Sequence, residues 1–284
     1  MRLPAKFIFI SIAAIICFAS VLTACRAENN KEDDKETGKA AGKEADKEVS
    51  NSLRVFEDGN YKIYAIQAKP TRPPASLFTS VDPKEPFVQT AKDYEGSINV
   101  FIVEFKSDGK RVMIDTGFGA GKDRLQEILR QAAIAPDSIS DIYVTHIHPD
   151  HVGGLKDFPK AQIHIAKDEY EAWKTDPNRQ NLARDLPAQD KLHLFDYQDS
   201  FPHGLQAIKC AGHTPGHTVY RLDKRYFVGD LLHAVDLQYE HPSFCAAYDM
   251  NPREAAASRQ AAKENFHGEW LGAHISFPGV LNNP

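Results

Sequence analysis

Cysteine is scarce in this chain, with four residues in 284. A disulfide framework needs several paired cysteines, so the sequence is not a disulfide scaffold. An excess of positive charge is also lacking, because 34 lysines and arginines face 39 aspartates and glutamates, a net charge of −5. No run of lysine and arginine is present that could follow a phosphate backbone. The charge therefore argues against a nucleic-acid partner.

The first 24 residues have the layout of an exported signal sequence. A short charged start precedes the apolar run Phe7–Ala24, and the letters LTAC end at Cys25. Small residues before Cys25 resemble the bacterial lipobox, in which the cysteine is lipidated and becomes the new N-terminus. We therefore predict a lipoprotein signal peptide over residues 1–24 and a protein anchored in a bacterial cell envelope through Cys25. A retained transmembrane anchor is the alternative, because 18 apolar residues nearly span a bilayer.

A charged segment follows over residues 25–52. Of the 25 residues from Arg26 to Ser50, fourteen are charged, and Val49 is the only large aliphatic. Such a composition cannot bury enough apolar surface to offset the entropy lost on ordering. We predict a disordered tether, with a lone exposed helix as the alternative. Residues 53–284 have a globular pattern.

Hydrophobic periodicity predicts a mixed sheet system covered by helices. Strands are predicted at Tyr61–Ala68, Ser97–Phe105, Arg111–Gly117, Ser140–His146, Ala161–Ala166, Leu205–Cys210, Thr218–Leu222, Arg225–Asp230 and Glu269–Ile275. Helices are predicted at Gly121–Ile134, Lys167–Trp173 and Asn251–Phe266, the last with Asn251 as its candidate cap and Pro252 in its first turn. The second and third strands form a hairpin. The proline-rich stretch Thr71–Lys92 is irregular, which fits either a functional lid or a plain surface loop.

The stretch VTHIHPDHVGGL crowds three histidines and an aspartate into six residues. His146 ends a predicted strand, and His148 points to the same side in extended backbone, so both can bind one ion. Asp150 and His151 follow in a predicted turn and can reach a second position. A helical single-zinc motif would instead place its histidines four apart. The spacing therefore favours two adjacent cations.

Further ligand candidates lie far along the chain. His213 begins the turn GHTPGHT, and Asp230 ends a predicted strand with a carboxylate suited to bridging two ions. His274 lies on the predicted last strand. Imidazole and carboxylate without cysteine suit two divalent ions, Zn²⁺ first, with Fe²⁺ or Mn²⁺ as alternatives.

The ordered motifs H-x-H-x-D-H, G-H-T-P-G-H, G-D and A-H resemble those of the metallo-β-lactamase superfamily of hydrolases, from roughly Tyr61 to the C-terminus. The resemblance implies an α/β fold for residues 53–284, a four-layer αββα sandwich with a dinuclear metal site at the strand edges. Carried over by motif, the ligands of the first metal are His146, His148 and His213, those of the second are Asp150, His151 and His274, and the bridging ligand is Asp230. Asp115 is expected to orient a ligand histidine.

Within the superfamily, VGDLLHAVDLQYEHPSF, YDMNPREAAASRQ and AHISFPG resemble the branch that contains methyl parathion hydrolase and related esterases and lactonases. Acyl-homoserine lactonases commonly have a tyrosine three residues after the bridging aspartate, where this chain has His233. The chain stops at Pro284, where relatives often continue to one more strand. The far edge of the sheet therefore stays open at this stage.

The remaining candidates have competing interpretations. His233 is either a pocket residue or a packing residue, and His217 is expected to brace the Gly-Pro turn. Four aromatic side chains are candidates for the substrate cleft, although aromatics more often belong to the core. They are Trp173, Phe195, Tyr239 and Phe244.

The resemblance implies a hydrolase that uses a metal-bridging hydroxide on a small-molecule ester, lactone or phosphotriester. Asp150 is expected to orient the nucleophile or to pass a proton to the leaving group, and His233 to donate a hydrogen bond to an oxyanion. The alternatives are an iron-dependent sulfur dioxygenase-like enzyme and a β-lactam- or thioester-hydrolysing enzyme. A non-enzymatic metal-binding lipoprotein is least favoured, because storage needs no bridging carboxylate. The oligomeric state, and whether Cys210 and Cys245 pair, stay open.

Overall fold

A computed structural model describes residues 51–85, 93–177, 186 and 189–284 of the chain. The predicted signal peptide, the predicted tether up to residue 50 and residues 86–92 of the proline-rich stretch lie outside the described residues. Within the described part, no helix is long and apolar enough to cross a bilayer.

Seven strands form the first sheet, in the order β1-β2-β4-β5-β6-β7-β8. They are β1 (Leu53–Glu57), β2 (Tyr61–Thr71), β4 (Gly96–Phe105), β5 (Arg111–Ile114), β6 (Ile139–Tyr143), β7 (Gln162–Ala166) and β8 (Leu192–Phe195). The predicted hairpin is confirmed, because β4 and β5 pair antiparallel with Phe101 opposite Ile114. From β5 to β8 the neighbouring strands run parallel, so their carboxyl ends share one edge.

Five strands form the second sheet, in the order β14-β13-β11-β10-β9. They are β9 (Gln206–Lys209), β10 (Thr218–Leu222), β11 (Arg225–Gly229), β13 (Gly268–Gly272) and β14 (Val280–Asn283). A small ribbon pairs β3 (Phe78–Ser80) with β12 (Phe244–Ala246). The described part of the predicted irregular stretch, residues 71–85, therefore contains the short strand β3.

The α-helices of the described part are α1 (Leu125–Gln131), α2 (Pro149–Val152), α3 (Lys167–Thr175), α4 (Val235–Gln238) and α5 (Pro252–Asn265). Short 3₁₀ turns cover Ala75–Leu77, Pro136–Ser138, Leu155–Asp157, Gln189–Lys191 and Pro202–Gly204. As predicted, Asn251 caps α5, since its side chain accepts a hydrogen bond from the Glu254 amide and Pro252 takes the first turn.

The buried apolar side chains of the described residues form three layers of core and a smaller fourth cluster around the β3–β12 ribbon. Alternation along β4 sends Val100 and Ile102 to a core beneath α1 and α3, and Phe101 and Val103 to the core between the two sheets. The second sheet contributes Tyr220, Phe227 and Leu271 to that middle core. Its other face packs with Ala262 of α5. The layers are therefore helix, sheet, sheet and helix, which confirms the predicted α/β sandwich.

Several predicted boundaries were wrong. The strand before the metal motif ends at Tyr143, so His146 lies in a loop, and Asp150 and His151 lie on α2 instead of a turn. His274 follows β13 and does not lie on the last strand, because β14 comes after it and forms the outer strand of the five-stranded sheet.

Candidate metal centre

The predicted ligands meet at one edge of the sandwich. His146 and His148 follow β6, and α2 places Asp150 and His151 directly after them. The other three ligands follow strands of the second sheet. They are His213 after β9, Asp230 after β11 and His274 after β13. The structure therefore brings together all seven residues that the motifs assigned to metals.

Three imidazole nitrogens converge in the first group. His146 Nε2 lies 2.9 Å from His148 Nδ1 and 3.2 Å from His213 Nε2, and the last two atoms are 3.0 Å apart. Ligands of a tetrahedral zinc ion, with Zn–N near 2.0–2.1 Å, stand roughly 3.3 Å from one another. The three nitrogens and a carboxylate oxygen of Asp230 lie within 4.8 Å of one another and can hold one ion.

A second group lies on the other side of Asp230. Asp150 Oδ2 is 3.8 Å from His151 Nε2 and 3.5 Å from His274 Nε2. Asp230 reaches both histidines, with Oδ1 3.0 Å from His151 Nε2 and Oδ2 3.2 Å from His274 Nε2. The Asp230 carboxylate therefore faces both groups, as a bridging ligand must.

The electrostatics of Asp230 fit a cation site. The residue is buried, and burial favours its neutral form, yet the surrounding imidazoles, His151 first and then His274, hold its pKa well below the ordinary value. The carboxylate is therefore ionised in a buried position. Buried carboxylates of this kind are paired or bind metal.

The histidines divide into two kinds. Burial lowers the pKa of His146 well below its ordinary value and that of His148 to about 3, so both are neutral and can donate a lone pair. For His213, burial lowers the pKa but Asp230 and Asp249 outweigh it and raise the pKa to about 9. The pKa of His151 is also raised, by Asp230 and Asp115 against burial. The carboxylates therefore favour positive charge at His213 and His151. A metal ion would supply that charge on displacing the protons of these two histidines.

Unpartnered buried atoms support the same conclusion. Within the described residues, His151 Nε2 and Asp230 Oδ1 are buried and have no hydrogen-bond partner, although they lie 3.0 Å apart. A buried polar atom without a partner is costly unless something binds it. A divalent ion satisfies both atoms, so the residues present fit a dinuclear centre of nitrogen and oxygen ligands.

The outer nitrogens of four ligand histidines are also held. His146 Nδ1 lies 3.1 Å from Thr145 Oγ1, and His213 Nδ1 lies 2.8 Å from Asp249 Oδ1. His274 Nδ1 contacts the Ser97 carbonyl oxygen at 2.8 Å. Such contacts fix the tautomer and the orientation of a ligand histidine.

Asp115 holds the fourth of these histidines. Its Oδ2 lies 2.8 Å from His151 Nδ1 and accepts a hydrogen bond from the Thr145 hydroxyl. Its Oδ1 accepts a hydrogen bond from the Thr145 backbone amide. Its backbone takes φ +58°, a left-handed conformation that aspartate tolerates better than most residues. Asp115 therefore stands where a residue that orients a ligand histidine is expected.

His217 contacts the site through a backbone group. The Asp230 amide donates to His217 Nε2 at 3.0 Å, and the His217 carbonyl accepts from the Cys210 amide. Burial lowers the pKa of His217 to about 3, so the ring is neutral and can accept. A Cβ on Gly229 would lie 2.6 Å from that ring nitrogen, so the close approach requires glycine. His217 both braces its turn and positions Asp230.

Sequence reasoning missed three buried charged residues around the centre. Asp249 contacts His213 and accepts from Arg259 Nη2 at 3.0 Å, and Glu169 accepts from the amides of Ile147 and Gly216 at 2.9 Å each. An available signal was that Glu169 and Trp173 lie four apart on the buried side of α3.

A cleft of about 330 Å³ opens onto the second group. Its lining includes Asp150, His233 and Tyr248, together with the apolar Ile98 and Phe118. A larger cavity of about 650 Å³ is lined by none of the seven candidate ligands, so the smaller cleft is the candidate substrate site. For the four candidate aromatics the core interpretation is confirmed, because none of them lines this cleft: Trp173, Phe195 and Phe244 lie in cores, and Tyr239 packs beside one.

His233 lies between the cleft and the Asp230 carboxylate. Its Nε2 is 3.0 Å from Asp230 Oδ2, and its ring stacks on His274 with centroids 4.9 Å apart. Its backbone amide donates to Gln238 Oε1 at 2.7 Å.

Cys210 and Cys245, whose pairing the sequence left open, are both free thiols and both buried.

Comparison with known proteins agrees with this architecture. Residues 93–266, more than half of the chain, match the model of the Metallo-beta-lactamase superfamily. An N-acyl homoserine lactonase of Bacillus thuringiensis is 29% identical over 126 residues, 43% of this chain and 48% of the relative. A hydroxyacylglutathione hydrolase of Erythrobacter litoralis is 31% identical over 139 residues, 48% of each chain. The chain thus spans about half the length of these curated relatives.

Solved structures share the whole fold. The hydrolase AbOPH, of the beta lactamase superfamily, superposes with a TM-score of 0.70 at 24% identity, over 81% of this chain and 92% of the other. AidC, a dizinc quorum-quenching lactonase, gives a TM-score of 0.70 at 22% identity, over 81% and 93%. With the fold, the clustered ligands and the family match in agreement, this chain belongs to the metallo-β-lactamase superfamily.

Proposed function

We propose that this protein is a dinuclear metal-dependent hydrolase, with zinc as the metal, that acts on small lactones and esters, including phosphotriesters. The observation that carries the proposal is the buried Asp230 carboxylate, which contacts histidines of both ligand groups, and the second of these groups opens onto a cleft through Asp150 and His274. The similarity to a dizinc lactonase and to N-acyl homoserine lactonases supports both the metal and the bond class.

When bound, two adjacent divalent ions would lower the pKa of a water molecule and polarise the scissile carbonyl or phosphoryl oxygen. The chain's own residues contribute the rest. Asp150 has a side chain 22% exposed at the cleft, so its carboxylate can orient a water and receive or pass on a proton. Apolar Ile98 and Phe118 exclude water from one wall of the cleft.

A panel of substrates tests the bond class. Purified full-length protein would be assayed on a γ-lactone, an aryl ester, a phosphotriester, a thioester and a penicillin. We expect turnover of the lactone and the aryl ester. A hydroxyacylglutathione hydrolase among the relatives makes thioester hydrolysis the second candidate. Rapid turnover of penicillin with none of esters, lactones or phosphotriesters would overturn the proposal.

The two ligand groups predict different losses. His146→Ala removes a nitrogen from the first group and should eliminate nearly all activity and one bound metal. His274→Ala should mainly weaken the second site, by about 10- to 100-fold or more, since losing even an outer-shell contact commonly costs that much. Metal content per chain after gel filtration measures both. Retention of two tightly bound ions by His274→Ala would show that the assignment is wrong.

His233→Phe should lower kcat on an aryl ester or lactone by about 100- to 1,000-fold, the range for losing one oxyanion donor. The His233 ring lies between Asp230 and Tyr248, and the centroids of the His233 and Tyr248 rings are 4.8 Å apart. Phenylalanine keeps this ring packing but removes both ring nitrogens. Metal content should stay at two per chain. An unchanged kcat would remove His233 from the catalytic residues.

We also propose that the protein is exported and lipid-anchored through Cys25, on the LTAC sequence and the charged segment after it. Cys25→Ala should block processing or release the protein from membranes. Fractionation and the mass of the mature protein measure this. Unchanged membrane retention with an unchanged mature mass would exclude the anchor.

A further inference from the structure

A buried carboxylate on α3 links the two loops that carry the first ligand group. Glu169 is fully buried and accepts three hydrogen bonds. They come from the Ile147 amide at 2.9 Å, the Gly216 amide at 2.9 Å and Trp173 Nε1 at 2.6 Å. Three convergent donors need an acceptor-only group, which an ionised carboxylate is and an amide is not.

The two amides belong to the two ligand loops. Ile147 lies between His146 and His148, after a strand of the seven-stranded sheet, whereas Gly216 lies three residues after His213, between two strands of the other sheet. Glu169 therefore fixes the separation of ligands that the two sheets supply independently. Burial raises the pKa of Glu169, and its hydrogen-bond donors, the Ile147 amide first, oppose that shift because each favours the ionised form.

The contact between α3 and the second loop is unusually close. A Cβ on Gly216 would lie 2.2 Å from the Glu169 backbone nitrogen and 2.5 Å from its Cα. Both are backbone atoms and cannot move aside without moving the helix. Glycine at this position is therefore needed for the loop to reach the carboxylate.

Trp173 completes the arrangement at His148. Its ring meets the His148 ring edge to face, with centroids 5.4 Å apart and an interplanar angle of 85°. The outer nitrogens of His146 and His213 are held by side-chain oxygens, whereas no hydrogen bond to His148 Nε2 is found among the described residues. The tryptophan ring therefore supplies the lateral support that the other two histidines obtain from hydrogen bonds.

We infer that Glu169 and Trp173 form a bracket that sets the geometry of the first ligand group and thereby the affinity of the first metal site. They are positioning residues, since neither side chain lies among the converging ligand atoms. The inference rests on the first metal site proposed above. Loss of outer-shell support typically weakens metal binding 10- to 100-fold, and we expect a loss of that size here.

Glu169→Gln is the principal test, with Glu171→Gln as the matched control. Glutamine keeps one oxygen acceptor but turns an NH₂ group towards one of the backbone amides that donate to Glu169. Glu171 serves as the control because it is exposed on the same helix and contacts only Lys174 among the ion pairs of the described residues. Zinc dissociation constants would be measured by competition with a chromogenic chelator. His274→Ala identifies which of the two constants belongs to the second site.

We expect Glu169→Gln to raise the dissociation constant of the first site 10- to 100-fold. The second-site constant of this variant, and both constants of the Glu171→Gln control, should stay at wild-type values. Gly216→Ala should also raise the first-site dissociation constant, and Trp173→Phe should raise it by a smaller factor. If Glu169→Gln does not fold, Trp173→Phe and Gly216→Ala decide by the same comparison. An equal increase of both dissociation constants would overturn the proposed bracket. A fall in melting temperature with both dissociation constants unchanged would overturn it too.

The binding readout separates this inference from the proposed function. If wild-type protein binds two zinc ions but hydrolyses no substrate of the panel, the proposed function fails while the bracket is still tested. If wild-type protein binds no zinc, both fail.

Discussion

Replacing Asp230 with asparagine is expected to lower kcat/KM by about a thousandfold or more, because a metal centre contributes several kcal/mol of transition-state stabilisation. The carboxylate lies 3.0 Å from His151 Nε2, and 3.2 Å from both His213 Nε2 and His274 Nε2, so it serves both ligand groups. Asparagine preserves the shape but removes the charge and one acceptor. Both metals should therefore bind more weakly.

Steady-state kinetics with a lactone or aryl ester, together with metal content, measures this loss. Asp236→Asn is the matched control, since Asp236 is exposed nearby on α4 and does not line the cleft. The control should retain wild-type activity and two metals. If Asp230→Asn kept two tightly bound ions and wild-type kinetics, the carboxylate would not be the bridge.

Arg259→Met should destabilise the protein by about 3–5 kcal/mol, the usual cost of removing one partner from a buried ion pair. The guanidinium is buried and donates to Asp249 at 3.0 Å and to the carbonyl oxygens of Leu231 and Phe244, at 2.7 and 3.0 Å. Methionine fills similar space but removes the positive charge that pairs with the buried Asp249 carboxylate and the hydrogen bonds to both carbonyl oxygens. His213 should lose its orientation too, because Asp249 is the group that holds its Nδ1.

Urea unfolding of the zinc-loaded protein measures the free energy of unfolding. Arg253→Met provides the control, since Arg253 is exposed on the same helix. We expect the control to unfold at the wild-type midpoint and Arg259→Met at a much lower one. Equal midpoints for the two variants would show that the buried pair contributes little.

The ligand set could be predicted from the sequence because it depends on residue types at fixed spacing. Its backbone setting could not. The first sheet's ladder stops at Tyr143 because the Thr145 amide donates to the Asp115 carboxylate and the Ile147 amide to Glu169. Side-chain acceptors thus replace strand partners and hold the metal loop out of the sheet. Periodicity has no signal for such acceptors, so the prediction continued the strand to His146.

The supporting residues were hidden for a similar reason. Asp249 lies 36 residues from His213, and Arg259 reaches Leu231 across 28 residues. Only the packing of α5 against the second sheet brings these groups together. Hydrophobic spacing predicted that helix and its cap, because both are local. It gave no sign that a buried arginine on the helix supports a ligand histidine.

The cleft shows the same distinction. His233 was predictable as a candidate, since it follows Asp230 by three residues. Phe118 and Tyr248 were not, because they reach the cleft from distant parts of the chain. The four aromatic candidates for the cleft pack in or beside the cores, where burial of large apolar rings contributes most to stability.

A zinc titration of the metal-stripped protein, followed by lactone or aryl-ester hydrolysis, tests the dinuclear hydrolase most directly. We expect no hydrolysis after chelation, and activity that rises to its maximum as the second equivalent of zinc per chain binds. His146→Ala should stay inactive throughout the titration. Full activity in the stripped protein, or a maximum reached with the first equivalent, would contradict a centre in which two metals share Asp230.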